Sequence, residues 1–104
     1  NARIMNEEPF GPVAVMLRFK ETDDVLARAN KLPFGLASYA FTKDAKVATK
    51  VADSLESGMV TINHFGIALP ETPFGGTKDS GFGHEGGIEG LQVYMQAKFI
   101  SHLG

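Results

Sequence analysis

Residues Asn63–Gly87, NHFGIALPETPFGGTKDSGFGHEGG, decide how the rest of the chain is read. Seven of the twelve glycines (Gly66, Gly75, Gly76, Gly81, Gly83, Gly86 and Gly87) and two of the five prolines fall inside this stretch. Glycine loses more conformational freedom on folding than any other residue. Its concentration here points to unusual dihedrals or to backbone that approaches another group closely. A surface linker would also be rich in glycine, but it would not carry Phe65, Ile67, Leu69, Phe74 and Phe82 between the glycines. A loop with that much apolar surface reads instead as the lining of a pocket or an interface.

Outward from the loop, the chain alternates strands and helices. Met59–Asn63 (MVTIN) reads as the strand that enters it. Asp44 to Ser57 reads as a helix, with Val47, Ala48, Val51 and Leu55 on one face and Gly58 as its C′ residue. Leu36–Thr42 (LASYAFT) is a second strand. A helix beginning at Asp23 and Asp24, which suit the positive first turn, precedes it and is ended by Pro33 and Gly35. Val13–Phe19 (VAVMLRF) is an apolar, β-branched run of strand length. The strand starts at Val13, Leu36 and Met59 are 23 residues apart with one helix in each gap, the arithmetic of two successive parallel crossovers. Beyond the loop, Ile88, Leu91 and Met95 outline a third helix, and Lys98–Leu103 (KFISHL) a last, partly polar strand. The expectation is one α/β domain over residues 1–104: an open parallel sheet of βαβαβ type with helices packed on it, plus a final strand. The glycine loop then leaves the C-terminal end of the third strand, where open parallel sheets bind ligands.

Composition narrows the function. Ten Lys and Arg against twelve Asp and Glu give a net charge of −2, with no block of one sign to attract nucleic acid or an anionic membrane. No apolar run approaches the roughly 20 residues of a membrane span, and no signal peptide opens the chain, so a cytoplasmic protein is expected. There is no cysteine, hence no disulfide framework, thiolate metal site or thiol nucleophile. The start at Asn1 without methionine reads as that of a fragment or an excised domain.

Gly81–Gly86 matches G-x-G-x-x-G literally. A dinucleotide fingerprint, however, needs a buried strand directly before it and an acidic residue about 20 positions later. Neither is present, and tight turning into the third helix is the better role. His64, His84 and His102 share no metal-like spacing. Ser80 lies outside any nucleophile-elbow context. Lys78 reads as a solvated loop lysine. Glu7 and Glu8 form an acidic turn, of which one carboxylate, held against Pro9-Phe10-Gly11-Pro12, can accept bonds from sugar hydroxyls. By residue chemistry alone the chain offers a half-built pocket and no catalytic group.

Three segments taken together resemble the C-terminal part of the catalytic domain of NAD(P)-dependent aldehyde dehydrogenases. They are Glu8-Pro9-Phe10-Gly11-Pro12-Val13, the block NKLPFGLASYAFT from Asn30 to Thr42, and PFGGTKDSGFGHE from Pro73 to Glu85. Their order, continued by Gly90-Leu91 and Tyr94–Lys98, spans nearly the whole chain. The resemblance implies that Glu8 binds the nicotinamide ribose and that Phe10 packs near the nicotinamide ring. It implies that the loop from Gly66 to Phe74 walls an aldehyde tunnel, with Ala68 and Phe74 facing substrate. It also implies NAD or NADP as cofactor, and a segment from Phe99 to Gly104 that begins the strand pairing subunits in homodimers or tetramers. The family's cysteine nucleophile, general-base glutamate and most of its cofactor domain would lie outside this chain, which would position reactants and make no bonds.

Within that family the run ALPETPFGGTKDSGFGHEGG is most similar to a succinate-semialdehyde-dehydrogenase-like branch. Two departures stand out. His84 occupies a position where arginine is frequent, and Ala68 falls where some members of that branch carry a serine. The competing expectation is a non-catalytic, stand-alone α/β interaction module that keeps the fold and lacks the chemistry.

Overall fold

The computed structural model describes residues 2–104. After a short 3-10 turn at Arg3–Met5, the elements are α1 (Thr22–Ala29), β1 (Phe34–Gly35), β2 (Ala37–Ala40), α2 (Ala45–Ser54), β3 (Met59–Ile62), β4 (Thr77–Lys78) and α3 (Glu89–Gln92). The centre is the β2–α2–β3 unit. β2 and β3 are parallel, with Ala37 opposite Met59 and Ala40 opposite Ile62. This is the crossover expected of two strands with a helix between them.

Local chemistry explains the bounds of α2. The Asp44 carboxylate accepts from the amides of Lys46 (2.8 Å) and Val47 (3.1 Å), so two donors that the first helical turn leaves unpaired are satisfied. The helix ends at Ser54, and Leu55 turns the chain out in an extended conformation. Gly58, expected as the C′ residue of this helix, lies beyond it and serves a different purpose. A Cβ at Gly58 would collide with the carbonyl oxygen of Gly75, so glycine here lets two backbones touch.

The core is small. Val51 of α2 packs toward β3, where Met59 and Thr61 are buried, and Leu26 of α1 closes the other side of α2. Asn30, at the end of α1, ties these elements together. Its side-chain amide donates to the Ser54 carbonyl (2.7 Å), and its side-chain oxygen accepts from the Glu56 amide (3.0 Å). The last turn of one helix thereby supplies the hydrogen bonds that the end of the other lacks.

Two expected strands find no ladder partner among the described residues. Val13–Phe19 lies outside any strand and is exposed throughout; among the described residues the Val13 amide donates to the nearby Gly11 carbonyl, and the Arg28 guanidinium, from α1, donates to the Arg18 carbonyl. Lys98–Leu103 is likewise exposed, with Phe99 at 92% and Leu103 at 97%. An apolar run becomes a strand only where a neighbour supplies the other half of its hydrogen bonds. The parallel sheet is therefore two-stranded. A second, antiparallel pair, β1 with β4, joins Phe34–Gly35 to Thr77–Lys78 and was not foreseen. The Cα radius of gyration is 17.8 Å, against about 13 Å for a compact chain of this length.

Candidate functional site

The glycine loop leaves the C-terminal end of β3 through a tightly fastened turn. Asn63 adopts φ +63°, a left-handed conformation that asparagine tolerates better than most residues. Its side-chain oxygen accepts from the Thr42 amide (2.8 Å) and its side-chain nitrogen donates to the Thr42 carbonyl (2.9 Å), which locks the ends of β2 and β3 together. The Thr61 hydroxyl donates to the His64 carbonyl (2.7 Å), and the Gly66 amide donates to His64 Nδ1 (3.1 Å). Phe65 packs against Tyr39 and Phe41, with ring centroids 5.5 and 5.0 Å away.

From this fixed exit the loop folds back on itself. Phe74 and Glu85 exchange two backbone hydrogen bonds of 2.7 Å each, and the Gly87 amide donates to the Pro70 carbonyl (2.9 Å). Gly83, Gly86 and Gly87 take φ of +78°, +67° and +57°, turning the chain into α3, as the sequence led one to expect in place of a dinucleotide fingerprint.

The far side of the loop is pinned to the α1–β1 connection. Lys78, itself at φ +55°, donates from Nζ to the carbonyls of Asn30 (2.9 Å) and Leu32 (3.3 Å) and pairs with Glu56 (2.5 Å). The Ser80 hydroxyl accepts from the Gly35 amide (2.9 Å). Thr77 Oγ1 donates to the Glu56 carbonyl (2.8 Å). The reading of Lys78 as a solvated lysine is therefore corrected: its side chain is 27% exposed and all three ammonium hydrogens have acceptors. No local pattern announces this, because its partners lie 22 to 48 residues away along the chain. Asn30 and Asn63 did carry a signal, as asparagines at the end of a helix and just past a strand.

Two cavities flank the folded-back loop and share Phe74, Glu85 and Gly86 in their walls. The larger, about 690 Å³, is lined by glycine backbone together with Ser80, Phe82, His84, Leu91 and Tyr94. The smaller, about 420 Å³, is lined by Ala68, Leu69, Pro70, Phe74, Glu85 and Gly86. Ala68 and Phe74, the two residues singled out as substrate-facing, thus line one cavity.

Glu8 and Phe10 line neither cavity and sit in the exposed lead-in, with Phe10 at 95% exposure. The adjacent acids differ. Glu7 is held by the Arg3 guanidinium at 2.7 Å, which in turn raises Arg3 above its ordinary pKa. The Glu8 carboxylate has no hydrogen-bond partner among the described residues, while its carbonyl accepts from the Phe10 amide (3.0 Å). Among the described residues no cluster of His, Asp or Glu has the geometry of a metal site, and no helix is long and apolar enough to cross a membrane.

In open parallel α/β sheets the loops beyond the carboxyl ends of the strands are where ligands bind, and the glycine-rich loop after β3 occupies that place. The chain belongs to the aldehyde dehydrogenase family, whose sequence model matches residues 1–100. It is 46% identical over 103 residues to the 4-(hydroxymethyl)benzenesulfonate dehydrogenase TsaD1 of Comamonas testosteroni, covering 99% of this chain and 22% of that protein. It is 43% identical over 100 residues to the NADP(+) succinate-semialdehyde dehydrogenase of Escherichia coli K12, covering 96% of this chain and 20% of the relative. Among solved structures, betaine aldehyde dehydrogenase from Staphylococcus aureus in complex with NAD+ superposes with a TM-score of 0.84 at 42% identity, over 88% of this chain and 18% of that one. The chain spans about a fifth of the length of these relatives.

Proposed function

We propose that this chain is the part of an NAD(P)+-dependent aldehyde dehydrogenase that holds the cofactor's nicotinamide ribose and walls one side of the aldehyde tunnel. The whole enzyme would oxidise an aldehyde to a carboxylic acid. The observation that carries this reading is that Ala68 and Phe74 line a single cavity at the exit of β3. A loop fastened at both ends holds them there, and a fixed wall is what orientation of a substrate requires.

The lead-in fits a ribose. Glu8 offers a carboxylate with no partner among the described residues, and sugar hydroxyls donate well to such a group. The exposed Phe10 ring is available to pack against a flat heterocycle. Bound NAD(P)+ would supply the two-electron acceptor for the oxidation. Glu8 would accept hydrogen bonds and fix the ribose, Phe10 would limit tilting of the ring beside it, and the 68–74 wall would exclude water from the aldehyde. With no cysteine in the chain, the nucleophile would come from elsewhere in the polypeptide. Similarity to succinate-semialdehyde dehydrogenase makes succinate semialdehyde the first aldehyde to assay. The exposed Phe99–Gly104 segment would begin the strand that pairs subunits of a homo-oligomer.

The test is aldehyde-dependent formation of NADH or NADPH. A full-length polypeptide that contains this segment is expected to catalyse it, and the 104-residue chain alone is expected to be inactive. Reduction of cofactor by the isolated chain above a heat-inactivated control would overturn the division of labour. Inactivity of the full-length protein toward every aldehyde would favour the interaction-module reading.

A further inference from the structure

We propose that Asn63 is a positioning residue for the oxidation: acting through the backbone of Thr42, its side chain sets the direction in which the loop leaves β3. It thereby fixes the place of the wall that carries Ala68 and Phe74. The inference rests on the aldehyde-oxidation reading above. Asn63 is exposed and lines neither cavity, so its effect on the reaction must pass through other residues. Its backbone stands at φ +63°, a conformation that costs energy for a residue with a Cβ and that glycine adopts freely. Asparagine adds what glycine lacks, a side chain that reaches Thr42. The side-chain oxygen accepts from the Thr42 amide at 2.8 Å, and the side-chain nitrogen donates to the Thr42 carbonyl at 2.9 Å.

Thr42 can serve as an anchor because it is held from the other side as well. Its hydroxyl oxygen accepts from the Asp44 amide (3.1 Å), and Asp44 caps α2. The main-chain amide of Asn63 donates to the Ala40 carbonyl (2.8 Å), so the exit of the loop is set against β2, β3 and the start of α2 together. The Thr61–His64 bond and the packing of Phe65 on Tyr39 and Phe41 carry that direction forward toward Ala68. Relaxing φ to an extended value of about −120° would swing the following peptides away from this packing. Both side-chain bonds lie at the surface, where hydrogen bonds add little to stability, so what they supply is direction. Direction is enough to matter, since a shift of about 1 Å in a positioning group can cost about a hundredfold in rate.

The experiment compares the native full-length enzyme with Asn63→Gly and Asn63→Asp, using succinate semialdehyde, propanal and benzaldehyde. Glycine keeps the left-handed φ without strain and removes the clamp. That variant is expected to fold and to bind NAD(P)+ at native stoichiometry, with a Kd within about twofold of native. Its kcat is expected to fall by about tenfold or more, while KM for the aldehyde changes by less than about threefold. Aspartate keeps the acceptor for the Thr42 amide but sets an oxygen against the Thr42 carbonyl, and only its protonated form can donate there. The carbonyl favours that neutral form, so the ratio of Asn63→Asp to native kcat should rise by about threefold or more from about pH 8 to about pH 5. Native kcat in Asn63→Gly, or a ratio for Asn63→Asp that is flat with pH, would overturn the inference and leave the aldehyde-dehydrogenase reading standing. A fall in kcat matched by loss of NAD(P)+ binding sites would also overturn it, because folding and not direction would then be at stake. Absence of turnover by the native enzyme with every aldehyde would overturn both.

Discussion

Two regions of this chain are built in opposite ways. Between Asn30 and Gly87, hydrogen bonds involving Asn63, Thr77, Lys78 and Ser80 and the Gly58–Gly75 contact fasten the loop to the strands and their flanking turns from both sides. Residues 2–20 and 91–104 are exposed at every position and carry Met16, Phe19, Tyr94, Phe99 and Leu103 into solvent. Total exposure is 8897 Å², against about 5,700 Å² for a compact monomer of this mass. The contrast teaches that apolar content alone does not locate a core here. Where side chains and backbone meet their partners within the chain, the fold is specified; where they do not, the same residue types form surface.

The largest effect is expected where the fastened region is tightest. Gly58→Ala would drive a methyl group into the Gly75 carbonyl, and neither backbone can yield without moving the loop. A loss of about 3 kcal/mol is expected. Amide hydrogen exchange would register it as roughly hundredfold lower protection at Met59 and Asn63, whose amides bond to Leu36 and Ala40. Retention of native protection in that variant would mean the contact is not a constraint.

Lys78→Met comes next. It removes the donor to two carbonyls and the partner of Glu56, at an expected cost of about 1.5–3 kcal/mol. The unfolding midpoint should fall, and Glu56→Gln in the same background should add little, because the pair is already broken. Additive losses would show that Lys78 and Glu56 act separately.

In the isolated chain, Phe99→Ser is expected to change stability by no more than about 0.5 kcal/mol, since the ring touches little of the fastened region. It should nonetheless reduce self-association in sedimentation at low micromolar concentration. A large stability loss would transfer residues 99–104 from the second region to the first.

Much of the fastened region was legible in the sequence. A helix opening at Asp44, its apolar face of Val47, Ala48, Val51 and Leu55, and the even spacing of Leu36 and Met59 specify β2–α2–β3 through local propensity and period. The glycines of the 63–87 stretch announced a loop with special dihedrals, and six of the seven have positive or closely packed backbones. The β1–β4 pair was not legible, because two-residue strands have no period to read. Lys78 was missed for a related reason, as two of its three acceptors are backbone carbonyls, which every residue possesses. Val13–Phe19 was over-read because an apolar run reports burial potential but not the presence of a neighbouring strand. In the candidate site, Ala68 and Phe74 came from family resemblance, not from spacing, and so did the choice of Glu8 over Glu7.

That choice gives the most direct test of the account. In the full-length enzyme, single-turnover reduction of the cofactor would be compared in Glu8→Gln and Glu7→Gln. Glu7 is occupied by Arg3 in an exposed pair of small energetic weight, so its variant should stay within about twofold of native. Glu8→Gln should slow the step by about ten- to a hundredfold, the equivalent of losing roughly 1.5–3 kcal/mol from one charge-assisted bond, while cofactor affinity changes less. An unchanged rate in Glu8→Gln, or an equal loss in both variants, would contradict the claim that this chain positions the cofactor through Glu8.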